Sequence, residues 1–346
     1  MSAASIKDVA GLAGVSVGTV SNVLNRPDIV SPTARERVQA AIAELGFVRH
    51  ESARHLRAGH SRTIGLLVLD IANPFFTDVA RGVEEVANAA GLAVILCNSD
   101  DRPDKEAAHL DVLREQRVRG VLLTPTAELS PAVEALRSRG TPVVLVDRRA
   151  PTLEECAVAV DDVLGGRLAA EHLLERGHRR IAFIGGPSRL PQVQERHAGV
   201  VAAVCEATGG QEALTVVTPD ALTVAGGREA AVQIVGLRGG RRPTAAICAN
   251  DLLALGVLQE MVRQGVRVPE EFAIVGYDDI DFAAAAAVPL TSVHKPRYEL
   301  GRRAAKLLLS EAAGDGHQHQ QPVFEPTLVV RESSMVRRNE ITDGSR

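Results

Sequence analysis

The sequence predicts an α/β protein with a small N-terminal helical unit followed by a larger body built on parallel sheets. Two patterns predict this. The first 45 residues contain three stretches with apolar residues at helical spacing, and from Thr63 onward short apolar runs alternate with helical stretches. The length of the chain supports a division into two units. The chain has 346 residues, and chains beyond about 250–300 residues usually divide into domains, each with its own hydrophobic core.

Residues 5–25 predict two short helices joined by a tight turn. Apolar residues recur at helical spacing in both halves, so each helix can bury one stripe against the other. Gly14 ends the first helix in this interpretation, and Ser16 caps the second by accepting a hydrogen bond from a free backbone N–H. An ordinary helical hairpin is the alternative interpretation of the same pattern.

The second helix leaves small or polar side chains facing outward, a surface that fits the major groove of DNA. The candidate DNA-contacting residues are Ser16, Val17, Gly18, Thr19, Ser21, Asn22 and Asn25. Among them, Val17, Gly18 and Asn22 are the expected base readers. A third helix is expected from Pro32 to Leu45, so we place a three-helix helix-turn-helix unit at residues 1–49.

Charge is divided unevenly along the chain. Residues 1–62 contain 8 Lys and Arg against 5 Asp and Glu, a balance of +3. The remainder contains 31 against 38, a balance of −7, and the two sum to the overall −4. A mildly basic head on an acidic body is consistent with binding to a polyanion such as DNA.

The body alternates strands and helices in the pattern of parallel sheets covered on both faces. The strand candidates are 64–70, 92–97, 120–124, 142–147, 180–185, 214–217, 245–250 and 272–278. The helical candidates include 75–90, 104–116, 163–176, 191–207, 224–235, 251–264 and 297–309. This many units exceed one compact sheet. We therefore expect residues 63–340 to form two lobes, one at about 63–162 and 292–325 and the other at about 163–291 and 326–340.

Polar side chains stand where the predicted strands end. They are Asp70, Asn73, Asp147, Arg148, Asn250 and Asp278. Ligands of open α/β sheets bind beyond the carboxyl ends of the strands, so these groups are expected to converge on one cleft. There they can hydrogen-bond the hydroxyls of a sugar, while Phe75 and Phe76 cover its apolar C–H face.

Several function classes receive no support from the sequence. There is no apolar run long enough to span a membrane and no secretory leader, so a cytoplasmic, nucleoid-associated protein is expected. No phosphate-binding loop or nucleophile motif appears, and we expect no enzymatic activity and no cofactor.

The cysteines and two nearby histidines predict no metal site. Cys97, Cys156 and two further cysteines are isolated in or beside apolar runs, which indicates reduced thiols. His317 and His319 lie in a polar, turn-like segment that we interpret as a solvated loop.

The connector at residues 50–62 carries the sequence ARHLRAG, which buries too little to be a stable helix alone. With the head before it and the body after it, the chain resembles the LacI/GalR family of bacterial transcription regulators from about Ile6 to Met335. The resemblance implies a hinge helix that folds on a near-palindromic operator, with Ala53 at the DNA and Leu56 inserted into the minor groove. It also implies a homodimer, because the C-terminus lacks the leucine heptads of tetrameric relatives.

The body also resembles periplasmic sugar-binding proteins of the ribose type. The resemblance implies ligand contacts from Asn73, Phe75, Phe76, Asp147, Arg148, Arg196, Asn250 and Asp278. Leu222 and His294 are further candidate ligand contacts, although both depart from that pattern, since Leu222 replaces a common aromatic residue and His294 a common Gln. The implied function is repression of sugar-utilisation genes, controlled by a pentose such as ribose. A purine, a nucleoside, a sugar phosphate or a corepressor protein is the alternative effector, and a transport receptor is a further alternative class.

Overall fold

The computed structural model describes residues 4–47, 61–126, 129–237, 242–314 and 316–335. The chain divides into two compact units at Ser61 and Arg62. The predicted hinge contacts Ala53 and Leu56 lie outside the described residues.

The N-terminal unit consists of three α-helices around a small apolar core. They are α1 (Ile6–Ala13), α2 (Val17–Asn25) and α3 (Pro32–Leu45), with a short 3-10 turn at Pro27–Ile29. The buried core side chains are Val9, Ala10, Ala13, Val20, Val23, Val38 and Ala41.

Each helix of this unit begins at a capping serine. Ser5 forms a capping box with Asp8, Ser16 accepts a hydrogen bond from the Thr19 amide at 3.0 Å, and Ser31 accepts one from the Ala34 amide. Gly14 ends α1 in the left-handed conformation that suits glycine because it lacks a Cβ. The predicted stop and cap signals are therefore confirmed.

Two six-stranded sheets form the body. In chain order the strands are β1 (Thr63–Val68), β2 (Ala93–Asn98), β3 (Val121–Leu123), β4 (Val143–Val146), β5 (Ala157–Val160), β6 (Ile181–Ile184), β7 (Leu214–Val217), β8 (Ala245–Cys248), β9 (Ala273–Asp278), β10 (Thr291–His294), β11 (Val323–Phe324) and β12 (Thr327–Val329). The sheet orders are β11-β5-β4-β3-β1-β2 and β12-β10-β9-β8-β6-β7. Within the described residues every strand pair is parallel except the antiparallel pair of β10 and β12.

Helices cover these sheets, and all except those at Pro131–Arg137 and Asp281–Ala285 lie where the sequence predicts them. The body helices are α4 (Pro74–Ala89), α5 (Pro103–Glu115), α6 (Pro131–Arg137), α7 (Asp162–Glu175), α8 (Pro191–Thr208), α9 (Val224–Gly236), α10 (Asp251–Arg263), α11 (Asp281–Ala285) and α12 (Arg297–Ala313). The predicted α/β class with two parallel sheets is confirmed. Among the described helices, none combines the length and apolar character that a membrane crossing requires.

Helices α7 and α8 pack closely because each presents a glycine to the other. A Cβ on Gly166 would lie 2.0 Å from the Arg196 carbonyl oxygen, and a Cβ on Gly199 would lie 1.9 Å from the Val163 carbonyl oxygen. Any larger residue would push the two helices apart. This packing fixes the N-terminal half of α8, the part that carries Arg196.

Candidate functional site

A cavity of ≈ 270 Å³ lies where the carboxyl ends of strands from both sheets meet. Eight of the predicted ligand-contacting residues line it: Asn73, Phe75, Phe76, Asp147, Arg196, Leu222, Asn250 and Asp278. The strand-end rule therefore located the cleft correctly.

Arg196 is the cation at the centre of this cleft. Its Nε donates a hydrogen bond to Asp162 Oδ1 at 2.9 Å, and its Nη1 donates one to the Ala249 carbonyl at 2.5 Å. The guanidinium carbon stands 3.9 Å from the centroid of the Tyr277 ring, a cation–π contact. Burial works against the charged form, but Asp162 and Asp278 hold the pKa of Arg196 above its usual value.

Asp147 is held by a lysine that lies entirely inside the protein. Lys295 Nζ donates a hydrogen bond to Asp147 Oδ1 at 2.5 Å and lies 4.0 Å from Asp278 Oδ1. The same ammonium stands 4.3 Å from the centroid of the Phe75 ring. Burial raises the pKa of Asp147 to about 6, although the Lys295 charge opposes the shift. A carboxylate fixed in this way can accept hydrogen bonds from a ligand without moving.

The strand-end carboxylates are presented by backbone in the left-handed region. Asp147 has φ 57° and Asp278 has φ 96°, while Asp100 and Asp101 have φ 50° and 55°. Non-glycine residues rarely adopt this conformation, and it costs free energy wherever the surrounding structure imposes it. Its repetition at one cleft is typical of a functional site.

The two asparagines at the site act first as helix caps. Asn73 Oδ1 accepts a hydrogen bond from the Phe75 amide at 3.0 Å, at the start of α4. Asn250 Oδ1 accepts one from the Leu253 amide at 2.9 Å, and its Nδ2 donates to the Leu222 carbonyl at 3.0 Å. Asn250 thus positions the Leu222 backbone at the cavity wall.

Two of the predicted ligand contacts, Arg148 and His294, are not among the residues that line this cavity. Arg148 instead borders a separate small groove with Asp162. His294 Nδ1 lies 3.0 Å from Asp279 Oδ2. At each position the adjacent residue, Asp147 or Lys295, belongs to the buried ion-pair group of the cleft instead.

Sequence reasoning missed several residues of the cleft. Asp100 and Asp101 follow β2 and line the cavity, so the strand-end rule could have found them. Gln192 lines it as well, and its Nε2 donates a hydrogen bond to the Asp147 carbonyl at 3.1 Å. Lys295 carries no such signal, because it follows β10, a strand that the sequence pattern did not predict.

Negative charge predominates in this cleft. Asp70, Asp100, Asp101, Asp147 and Asp278 line the cavity, and Arg196 is the cation that lines it. Burial raises the pKa of Asp101 to about 6, with Arg189 opposing the shift. At neutral pH the cleft therefore offers many hydrogen-bond acceptors and little to attract an anion.

The candidate DNA-contacting residues lie together on α2 and just before it. Ser16, Val17, Gly18, Asn22 and Asn25 are exposed, whereas Thr19 and Ser21 are half-buried. Intrahelical contacts hold some of these side chains, since Ser16 and Thr19 share a hydrogen bond of 3.0 Å and Asn25 Nδ2 donates to the Ser21 carbonyl at 2.8 Å. The surface is small and polar enough to approach base edges closely.

Comparison with known proteins identifies the two units separately. Residues 5–50 match the family described as "Bacterial regulatory proteins, lacI family", and residues 170–334 match the "Periplasmic binding protein-like domain". The HTH-type transcriptional repressor PurR of Aliivibrio fischeri is 33% identical over 336 residues, spanning 96% of this chain and 99% of that protein. The chain belongs to the lacI family of bacterial regulatory proteins.

Further members of the lacI family match most of the chain in sequence or in fold. The HTH-type transcriptional repressor CytR of Escherichia coli is 34% identical over 333 residues, spanning 96% of both chains. A lac repressor dimer bound to operator and an anti-inducer has a TM-score of 0.82 at 26% identity, covering 97% of this chain and 100% of that one. A LacI-family regulator of Enterococcus faecium with bound ribose has a TM-score of 0.72 at 29% identity, covering 78% and 98%.

Family membership settles the class of function. The chain is a DNA-binding transcriptional repressor that responds to a small-molecule effector, and it is not an enzyme. The prediction of a LacI-type regulator is confirmed.

Proposed function

We propose that this repressor binds a neutral pentose, free or as part of a nucleoside, in the cleft, and that the ligand changes the affinity of a homodimer for a near-palindromic operator. The observation that supports this most directly is the Arg196 environment. A buried guanidinium between Asp162 and Asp278, with Asp147 fixed by Lys295, presents donors and acceptors in a rigid arrangement. Such an arrangement suits vicinal hydroxyl groups, which donate and accept at the same time.

The apolar part of the cleft supports a sugar ring. The rings of Phe75 and Phe76 stand edge to face, with centroids 4.9 Å apart. Both line the cavity, together with Leu190, Val193 and Leu222. Apolar walls with a few precisely placed polar groups are typical of small-ligand sites, and ≈ 270 Å³ suits a compact ligand.

Charge disfavours the phosphorylated alternatives. Five carboxylates and one guanidinium line the cavity, and the cations Arg196, Lys295 and Arg189 are already paired with Asp162, Asp147 and Asp101. A phosphate would therefore leave water with little cationic compensation, which is costly. A neutral ligand meets no such penalty. The related regulator of Enterococcus faecium was solved with bound ribose, which agrees with a neutral pentose.

The cleft lies between the two lobes, so a ligand bound there changes their relative arrangement in this proposal. Arg189 and Gln192 on the second lobe contact Asp101 and the Asp147 carbonyl on the first. A ligand that bridges the same two lobes must favour one of their relative arrangements, and coupling of about 1–3 kcal/mol is usual for allosteric sites. The hinge at residues 50–62 transmits the change to the operator in this proposal.

DNA recognition in this proposal divides between two elements. The α2 side chains read the major groove, and the hinge places Ala53 at the DNA and Leu56 in the minor groove. Leu56→Ala should weaken operator binding by about tenfold or more, since it removes an apolar wedge that stabilises kinked DNA. Nonspecific DNA binding, which depends on phosphate contacts, should not change. Fluorescence anisotropy with operator and random duplexes measures both, and equal losses on the two would contradict the hinge assignment.

Direct binding measurements test the ligand. Isothermal titration of the full chain with D-ribose, other pentoses, hexoses, nucleosides and ribose 5-phosphate should show binding of a pentose or its nucleoside and none of the phosphate. Comparison of the affinities for the free pentose and for its nucleoside shows which of these two forms the cleft prefers. Preferential binding of the phosphate or of a hexose would contradict the proposed ligand class.

A further inference from the structure

The chain brings four metal-ligating side chains together at the edge of the first sheet, and none of them is among the residues that line the cleft. Cys156 immediately precedes β5, Glu311 lies in the last turn of α12, and His317 and His319 follow in the loop towards β11. Their ligand atoms all lie within 4.8 Å of one another. The interpretation of this segment as a solvated loop is wrong for His317, whose side chain is 8% exposed. We propose that Cys156, Glu311, His317 and His319 form a zinc site.

Distances between the ligand atoms agree with a single tetrahedral ion. Cys156 Sγ lies 3.2 Å from His317 Nε2 and 3.7 Å from His319 Nδ1, and His317 Nε2 lies 3.9 Å from Glu311 Oε2. Zinc bonds of about 2.0–2.3 Å at tetrahedral angles place neighbouring ligand atoms about 3.3–3.6 Å apart. All the distances between ligand atoms lie within 4.8 Å, so side-chain movements of about an ångström are enough to coordinate the ion.

The surroundings of the cluster resemble an outer coordination shell. The second ring nitrogen of His317, Nδ1, lies 3.0 Å from Ser310 Oγ, which fixes the ring and leaves Nε2 for a metal. The backbone N–H of Gln320 points at Cys156 Sγ from 3.5 Å, a contact that would stabilise a thiolate. Within the described residues, Glu311 Oε2 is buried without a hydrogen-bond partner. A metal ion would satisfy that oxygen.

The donor set selects the kind of ion. One sulfur, two imidazole nitrogens and one carboxylate oxygen are ligands that zinc accepts in tetrahedral geometry. Magnesium and calcium require oxygen-rich sites of higher coordination number, and the thiolate disfavours them. Zinc is therefore the metal class assigned to this cluster.

A zinc ion here would connect segments that lie about 155 residues apart in the chain. The Ala157 amide donates a hydrogen bond to the Gln320 carbonyl at 3.1 Å, so the site adjoins the point where β5 begins to pair with the returning chain. Binding energy for a native-state ligand adds to the stability of the folded state. Zinc would therefore stabilise the first lobe without entering the effector cleft.

Metal titration of the full chain, purified without a histidine tag and stripped with a chelator, tests the site. The wild type should bind one zinc ion per chain in competition with a chromophoric chelator, with a higher Tm when loaded. Cobalt in its place should give the visible spectrum of a tetrahedral ion with a thiolate charge-transfer band. Cys156→Ser should abolish that band, and His317→Ala combined with His319→Ala should abolish stoichiometric binding.

Two variants with smaller expected effects and two control variants outside the cluster complete the test. Ser310→Ala removes only the outer partner of His317 and should weaken zinc binding about 10–100-fold. His319 is exposed, so His319→Ala alone should fold normally and still bind zinc more weakly. Cys205→Ser and His109→Ala, which change a thiol and an imidazole outside the cluster, should bind as the wild type does. Absence of stoichiometric binding, or binding that survives both Cys156→Ser and the double histidine change, would overturn the proposal.

Discussion

The α2 surface and the effector cleft differ in how their candidate binding residues are held, because those on α2 are mostly exposed and the charged ones in the cleft are buried and paired. On α2 the candidate contacts Val17, Gly18 and Asn22 are exposed, and the apolar core of the unit lies on the opposite side of the helix. In the cleft, Asp147, Arg196 and their partners are buried and joined by ion pairs. Recognition and stability are therefore separable on α2, whereas in the cleft they depend on the same side chains.

The contrast follows from the cost of burying charge. A charge removed from water is tolerated only when other charges and hydrogen bonds replace the solvent. Arg196 and Lys295 satisfy this condition through Asp162, Asp147 and Asp278. Any change in that group leaves a partner uncompensated, while a change on α2 exposes nothing that was buried.

The largest expected effect comes from Arg196→Ala. Removing one member of a buried ion pair typically costs about 3–5 kcal/mol, because the partner charges remain buried. We expect a loss of this size in the free energy of unfolding of the body, together with loss of effector binding. Chemical denaturation and calorimetric titration measure the two.

Arg267→Ala is the matched control for that change. The Arg267 side chain is 71% exposed and pairs with Glu271, which is 48% exposed, and exposed pairs contribute about 0–1 kcal/mol. Equal destabilisation by the two substitutions would contradict the claim that the buried ion pairs of the cleft matter more for stability than exposed ones.

Acid should destabilise the body through His172. Burial lowers the pKa of His172 to about 4 from 6.5, and its Nε2 lies 2.6 Å from Ser334 Oγ. Between these values the unfolded chain takes up a proton that the folded chain does not, so stability falls as the pH falls from 6.5 to 4. This difference in pKa between the folded and the unfolded chain corresponds to a loss of about 3 kcal/mol in the free energy of unfolding.

The pH dependence of unfolding measured on the wild type alone does not isolate the contribution of His172, because Asp147 contributes in the opposite direction. Its pKa is raised to about 6 in the folded protein, so its contribution is lost as the pH rises towards 6. The measurement is therefore the pH dependence of unfolding for the wild type minus that for His172→Gln. Parallel curves between pH 4 and 6.5 would contradict the assignment.

A smaller effect, confined to DNA, is expected from Asn22→Ala. A side-chain contact to a base edge contributes about 1–3 kcal/mol of discrimination, so operator affinity should fall by up to that amount. Tm and effector affinity should remain those of the wild type, since Asn22 is exposed. Operator anisotropy and thermal unfolding separate these readouts, and a lowered Tm would show that α2 is not separable after all.

Much of the fold and the cleft could be predicted because both depend on local patterns. Ser16 and Gly14 act where capping and stop signals place them, and Asp147 and Asp278 stand at strand ends. Lys295 could not be predicted, because its burial depends on the register of β10 beside β9. The meeting of Cys156 with His317 depends likewise on the pairing of β5 with β11, and neither short strand has a strong sequence pattern.

The response of operator binding to a neutral pentose tests the account most directly. An operator selected from randomised duplexes with the full-length chain would be titrated in the presence of D-ribose, adenosine or ribose 5-phosphate. We predict that the pentose or its nucleoside changes the operator Kd by about 5–150-fold, and that the phosphate leaves it unchanged. An operator Kd that none of these ligands alters, or that only the phosphate alters, would contradict the assignment of the cleft as the effector site for a neutral pentose.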